Sequence, residues 1–304
     1  MLSPKKGIHE NIAVIDFKSM YPSLMLKYNI SPDTVRPLPC EGTDRLVVEE
    51  ARTCILQNPK GFFTGVLQRL TEERDKIRRE MESIDPNSPK YRLLDTTQKT
   101  LKVLANAMYG YMAWSGARWY MREGAETVTA LGRRVISETI EKARRMGLEV
   151  IYGDTDSLFV SYDEEKVSEL LKWINEDLGL EAKIDRIFKV VLFTEAKKRY
   201  AGLTREGSLE IVGLEAVRGD WCDYARETQR ELLRRTFRRE RKEDLLGFVR
   251  ERASRLRRGK FKIRELVIWK QLAKKIDEYE VNAPHAVVAK RLLERGWVVE
   301  KGDF

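Results

Sequence analysis

Two apolar, β-prone runs, Leu148–Tyr152 and Ser157–Tyr162, flank the tetrapeptide Gly153-Asp154-Thr155-Asp156. That pattern predicts a β-hairpin with carboxylates at its tip. A further apolar run, Ile12–Phe17, reads as a short buried strand with Asp16 near its C-terminal end. A sheet that brings these strand ends together concentrates negative charge. Clustered carboxylates are costly unless something offsets them, and hard cations that prefer oxygen ligands are the natural remedy. Two Mg2+ ions about 3.5–4 Å apart can stabilise both the attacking and the leaving oxygen of a phosphoryl transfer. Alone, Asp-Thr-Asp reads more readily as a plain turn. Asp16, in its own strand context, turns the reading toward metal chemistry.

The rest of the chain alternates helices with short strands. Tyr21–Tyr28 is a helix candidate with Pro22 in its first turn, where proline is tolerated. The proline-bearing stretch 29–42 reads as a loop. Gly65–Met81 carries Val66, Leu67, Leu70 and Ile77 between charges, the pattern of a solvent-exposed helix. Asp85-Pro86-Asn87 signals a turn, and Tyr91–Met108 reads as a second long helix, so the pair forms an antiparallel hairpin. Glu123–Met146 is another helix, stopped by Gly147. Val190–Phe193, Tyr200–Leu203 and Leu209–Val212 are strand candidates. From Trp221 onward the chain reads as mostly helical and strongly basic. Its cations form two clusters, Arg234 to Arg241 and Arg255 to Lys262.

On the helical hairpin, Arg74 and Arg78 share a face, as do Lys102 and Asn106, with Tyr109 one turn further along. Facing helices could therefore grip a triphosphate and stack against a base pair, and arginine suits phosphate because its planar fork donates in pairs. The plainer reading is that Arg74 and Arg78 are solvated partners of Glu73 and Glu82.

The formal net charge of +9 and pI of about 9.3 fit a polyanionic partner. Charged residues make up 35% of the 304, a surface density compatible with thermophily. Cys40, Cys54 and Cys222 show neither metal-ligand spacing nor a disulfide framework, so a reducing compartment is expected. Only His9 and His285 are present, which disfavours a histidine metal site. No apolar run approaches the ~20 residues of a membrane span. The expected location is cytoplasmic, with no membrane contact.

Asp16-Phe17-Lys18-Ser19-Met20-Tyr21-Pro22-Ser23-Leu24 resembles the first polymerase motif of the archaeal-type family B DNA polymerases. Lys102–Gly110 resembles the second and Tyr152–Ser157 the third. Gly61 through Met81 resembles the first fingers helix, and Lys197-Lys198-Arg199-Tyr200 the primer-duplex contact. Gly213–Trp221 is similar to the palm-to-thumb junction and Pro284–Lys290 to a thumb segment. The resemblance spans nearly the whole chain in the right order. It implies an α+β, right-hand architecture, with an antiparallel palm sheet, a helical fingers hairpin and a helical partial thumb. The implied divisions are palm 1–60, fingers 61–110, palm 111–222 and partial thumb 223–304.

The resemblance also implies a template-directed polymerase that moves deoxynucleotides from dNTP to a primer 3′-hydroxyl. Asp16 and Asp156 would be the principal ligands of two Mg2+ ions, with Asp154 supporting and the Phe17 carbonyl a further ligand. Ser19, Met20, Tyr21, Arg74, Arg78, Lys102 and Asn106 would bind the nucleotide. Tyr21 would be the steric gate against a 2′-hydroxyl, and Tyr109 and Gly110 would lie against the nascent base pair. Thr155, Lys197, Lys198 and Arg199 would meet primer-template DNA. Met20, Ala107 and Arg78 stand where the family commonly has leucine, serine and lysine. Glu181 and Asp185 are the nearest candidates for an assisting acid.

Family members carry an N-terminal region and a 3′–5′ exonuclease domain before the first motif, and a longer thumb. The expectation is a chain that lacks proofreading, with a companion polypeptide supplying those parts and room for a sliding clamp. One alternative is a non-catalytic or partner-dependent DNA-binding subunit of a split polymerase. Another is a phosphohydrolase or nuclease built on the Asp-x-Asp site, which leaves Tyr21 and Lys102–Tyr109 without a role.

Overall fold

The computed structural model describes residues 2–41 and 44–303. Gly42, the expected end of the first loop, therefore lies outside the described residues, as do Met1 and Phe304, the outer bounds of the expected divisions. The chain divides into two compact units, Met1–Lys189 with Glu195–Lys197, and Val190–Thr194 with Lys198–Phe304.

The first unit runs β1 (Gly7–Phe17), α1 (Met20–Lys27), β2 (Val35–Pro37), β3 (Arg45–Val48), β4 (Thr53–Leu56), α2 (Phe62–Met81), α3 (Pro89–Ala113), α4 (Arg122–Arg145), β5 (Val150–Gly153), β6 (Ser157–Ser161), α5 (Glu164–Lys172) and the start of β7 (Ala182–Phe193). Its main sheet has the order β5-β6-β1-β7. The β1–β6 pairing is antiparallel and sets Asp16 opposite Ser157. Ala13, Ile15, Leu158 and Val160 from this sheet are fully buried. The expected hairpin and first strand are therefore both present, and their acidic ends are neighbours.

The α4 helix covers this core. Val128, Leu131, Val135 and Ile136 recur at helical spacing and are buried, while Arg134 on another side pairs with Glu50 at 2.7 Å. Truncating one such core residue, for example Leu131→Ala, is expected to cost about 2–5 kcal/mol. A small sheet, β2-β4-β3, is also present; its β2 lies in the stretch read from sequence as loop, and β3 and β4 follow that stretch. Its buried Thr53 shares a 2.7 Å hydrogen bond with Thr127 of α4. These strands are three or four residues long, too short to register as a hydrophobic period.

Cys40 and Cys54 are joined by a disulfide, which corrects the expectation of no such framework. The expectation rested on sequence spacing, and the turn from β2 back to β4 brings the two cysteines together.

The α2 and α3 helices form the expected hairpin. The Ser88 hydroxyl accepts from the Tyr91 N–H, and Pro89 occupies the first turn of α3. The start of α2 is tied down by a polar network. Asn29 accepts from the Gly61 N–H at 2.8 Å, the Ser31 hydroxyl from Phe63 N–H at 3.0 Å, and the Asp33 carboxylate from Phe62 N–H at 3.1 Å. These contacts satisfy donors that a helix N-terminus leaves unpaired.

The second unit contains the end of β7, β8 (Tyr200–Thr204), β9 (Leu209–Val212), α6 (Asp223–Phe237), α7 (Lys242–Arg257) and α8 (Pro284–Glu294). The β8–β9 pairing is antiparallel. Gly213, at φ +64°, follows β9, and a Cβ there would stand 2.0 Å from the Lys198 carbonyl oxygen, so no larger residue fits. The basic region is helical over α6, α7 and α8. Between α7 and α8 the chain forms only two short 3-10 turns, so it is less helical than its composition suggests. Gly259, at φ +68°, ends the α7 turn. Among the described residues, no helix is long and apolar enough to cross a membrane.

Candidate active site

The end of β1 and the start of β6 are tied by backbone. Phe17 donates its N–H to the Asp156 carbonyl at 2.9 Å, and Lys18 donates to the Glu181 carbonyl at 2.8 Å. The chain then turns through Ser19, held in the left-handed region at φ 46°, ψ 51°, and enters α1. A non-glycine residue in that region costs of order 1–3 kcal/mol, strain that persists where surrounding structure dictates the turn. The turn leaves the first N–H groups of α1, which have no intrahelical partner, beside the acidic strand ends.

A cavity of about 270 Å³ opens at this point. Asp16, Phe17, Ser19, Met20, Tyr21 and Pro22 line it from β1 and α1, Thr155 and Asp156 from the hairpin tip, and Lys102 and Asn106 from α3. Nine of the residues singled out in the sequence are therefore gathered around one space, Pro22 being the tenth wall. Asp154 is not among the walls. It accepts from the Thr155 N–H at 2.9 Å and donates its own N–H to the Ser157 carbonyl at 2.8 Å, so it shapes the turn.

The electrostatics are those of a crowded acid site. Burial pushes the Asp16 carboxyl above its usual range, Asp156 and Asp185 push it further, and Lys183 and Lys102 pull it back. Of the two assisting acids suggested by sequence, Asp185 is the one that acts on Asp16. Its own carboxylate also accepts from Arg186 Nε at 2.7 Å. Glu181 instead pairs with Lys18 at 2.6 Å. Asp16 and Asp156 offer hard oxygen donors of the kind Mg2+ accepts. Among the described residues, no three histidine, cysteine, aspartate or glutamate side chains gather as a metal-holding group.

Tyr21 and Tyr109 stack with centroids 4.5 Å apart and planes tilted by 53°. Burial raises the Tyr21 phenol above its usual range, Tyr109 and Asp156 add to this, and Arg133 opposes it. A Cβ on Gly132 of α4 would meet the Tyr21 ring at 3.3 Å, so the ring is wedged between α3 and α4. Gly110 follows Tyr109 with open space beside it.

Arg74 does not line this cavity. Its Nε donates to Gln98 at 3.2 Å across the helical hairpin, and it faces a smaller space of about 100 Å³. Ser19 and Lys102 line both spaces, so Arg74 is next door to the site. Arg78 is exposed one turn further along.

Lys197 is exposed in the first unit and Lys198 in the second, the latter at φ +59°. Arg199 is ion-paired to Glu215, and Glu215 also accepts from Gln229 Nε2 at 2.9 Å. Arg199 is thus ion-paired within its own unit. Sequence reading missed Lys183 and Arg133. The alternation of Ala182 and Ile184 with Lys183 and Asp185 was the available signal for the first.

The family model described as DNA polymerase family B matches residues 1–304. The chain is 48% identical over 316 residues to DNA polymerase 2 of Aeropyrum pernix, covering all of this chain and 39% of that one. It is 41% identical over 299 residues to the DNA polymerase of Archaeoglobus fulgidus, covering 97% of this chain and 38% of that one. The solved family B DNA polymerase of the hyperthermophilic archaeon Pyrobaculum calidifontis matches with a TM-score of 0.77 and 45% identity, over 99% of this chain and 40% of that one. The chain spans about two fifths of the length of the relatives it matches. With the family model covering every residue and the acidic strand ends meeting at one cavity, the chain belongs to DNA polymerase family B.

Proposed function

We propose that the chain carries the nucleotidyl-transfer centre of a template-directed DNA polymerase. The primer 3′-hydroxyl attacks the α-phosphate of a dNTP, the primer gains one deoxynucleotide, and pyrophosphate leaves. The observation that carries this reading is the single cavity lined by Asp16, Asp156, Tyr21, Lys102 and Asn106. Palm (1–60 and 111–222), fingers (61–110) and partial thumb (223–304) are the corresponding functional divisions.

Asp16 and Asp156 would hold the metals, with the Phe17 carbonyl as a further ligand and Asp154 fixing the turn. Two bound Mg2+ ions would supply a lowered pKa at the attacking hydroxyl and compensation of charge on the leaving group. The N–H groups of the first turn of α1, at Met20 and Tyr21, meet the triphosphate as helix N-termini meet anions. Lys102 and Asn106 grip its phosphates from α3, and Arg74 and Arg78 extend that grip along α2 as the helical hairpin closes. Tyr21, braced by Tyr109 and Gly132, lies under the sugar and leaves no room for a 2′-hydroxyl. Thr155, Lys197 and Lys198 and the basic helices α6 and α7 follow the phosphate backbone of primer-template DNA without reading sequence.

Primer extension by the purified chain tests this reading, alone and with a companion polypeptide that supplies the remaining family parts. Template-dependent elongation that disappears in Asp156→Ala supports it. Mg2+-dependent breakdown of nucleic acid without a dNTP requirement would replace it with a nuclease.

A further inference from the structure

The α3 helix carries a second face that the proposed chemistry leaves unused. Lys102 and Asn106 turn one side of it to the cavity. Successive residues of an α-helix advance by about 100°, so Thr100 and Leu104 stand on the far side from Lys102. There Leu93, Thr97, Thr100, Leu104, Ala107 and Tyr111 recur at alternating steps of four and three residues, the spacing of a coiled-coil seam. All six are exposed. Leu93 keeps 67% of its surface in solvent, Leu104 49%, and Val103 at the margin of the stripe 66%.

The stripe is more apolar than its residue types suggest. The Thr97 hydroxyl donates to the Leu93 carbonyl at 2.9 Å, and the Thr100 hydroxyl to the Thr96 carbonyl at 2.9 Å. Each threonine thus satisfies its hydroxyl on its own helix and leaves its methyl to meet a partner. The three charges between Leu93 and Tyr111 lie elsewhere on the helix. Lys99 is paired with Asp95 at 2.5 Å, and Lys102 faces the cavity. A nucleic acid would find no cation along this stripe, whereas another apolar helix face would.find a match in shape and charge.

The order of the steps narrows the occupant. Four, three, four, three, four is the same sequence in both directions. A second copy of α3 laid antiparallel therefore meets the stripe in register, Leu93 against Tyr111, Thr97 against Ala107 and Thr100 against Leu104. The small residues between the ends let the helix axes approach to about 8 Å. At a rise of about 1.5 Å per residue the stripe is roughly 27 Å long, and one helix makes it about 10 Å wide. That footprint is at the small end for specific interfaces, which fits a transient pairing.

We propose that the outer face of α3 is a self-association surface, through which two copies of this chain pair by antiparallel α3 helices about a two-fold axis level with Lys102. The pairing leaves the cavity side of each helix turned away from the seam, and it does not rest on the polymerase reading.

The test is sedimentation equilibrium of the full chain, freed of nucleic acid, from about 1 to 200 µM. The expected result is a monomer–dimer equilibrium with a Kd of about 10–100 µM. Leu104→Glu sets like charges into the seam and is expected to weaken pairing about 10-fold or more. Leu104 is exposed, so the fold persists in that variant. Raising salt from about 0.1 to 0.5 M leaves pairing unchanged or tightens it, because the two basic copies repel less. In a Cys222→Ser background, oxidation of the double variant Leu93→Cys with Tyr111→Cys gives covalent dimers that neither single variant gives, since only antiparallel copies bring these two ends within disulfide reach. A chain that stays monomeric throughout, a dimer indifferent to Leu104→Glu, pairing that falls steeply with salt, or cross-linking by the single variants overturns the proposal. Pairing in a chain that extends no primer overturns the polymerase reading alone.

Discussion

Asp16 and Glu215 are carboxylates of one chain that their surroundings treat in opposite ways. Asp16 sits among acids and half out of solvent, and its proton is held more tightly than usual. Glu215 receives hydrogen bonds from Gln229, from its own backbone and from Arg199, and its proton is held more weakly. Glu215 is satisfied by groups of the protein itself. Asp16 is left with burial and acidic neighbours that Lys183 and Lys102 offset only in part, and a carboxyl perturbed in that way is a candidate for a site that takes something from outside. The contrast separates a carboxylate satisfied by the protein from the one that the proposed function uses, without reference to motifs.

The largest expected effect comes from removing the perturbed carboxylate. Asp16→Asn should lower nucleotide incorporation on the order of 10³-fold or more while leaving duplex binding intact, as single-turnover extension and anisotropy would show. Next, Tyr21→Ala should relax discrimination against ribonucleotides by roughly 10–200-fold, read as the ratio of kcat/KM for the two sugars. Unchanged sugar selectivity would remove Tyr21 from the gate.

On the satisfied side, Glu215→Gln should leave incorporation per folded molecule unchanged. It should cost about 1 kcal/mol, because the Arg199 ion pair is lost and the buried Arg199 Nε already has no partner. Thermal unfolding would register this as a shift of a few degrees. The cost is full above the ordinary glutamate pKa and shrinks as pH falls through the lowered folded value, since the pair is then lost in both proteins.

The smallest effect has the opposite sign. Ionised Asp16 is penalised in the folded state, so Asp16→Asn should raise Tm by about 1–3 °C at neutral pH. That gain should fade as pH drops from just above the ordinary aspartate range to below it, where Asp16 is protonated anyway. A gain that persisted in acid would mean that packing, not charge, sets the difference.

Local pattern carried much of this into the sequence. The apolar run Ile12–Phe17, the acidic tetrapeptide and the helical pattern of Glu123–Met146 each correspond to an observed element within a few residues. Asp16, Tyr21, Lys102 and Asp156 were legible because each sits in a run whose neighbours fix its type of element. What stayed hidden depends on long-range arrangement. Nothing local says that β7 lies beside β1, so Asp185 could not be preferred over Glu181. Nor does spacing reveal that Arg199 turns to Glu215, or that Cys40 meets Cys54 across a short sheet. The small strands β2, β3 and β4 carry too few residues for a period to emerge.

The backbone bond from Phe17 to Asp156 has a consequence for how such a centre can be adjusted. Because a backbone hydrogen bond joins the two acidic strand ends, their spacing is set by sheet geometry. Variation can therefore retune the acidity of Asp16 from the flanks, through residues such as Lys183, Asp185 and Lys102, while the frame that carries the two acids keeps its dimensions.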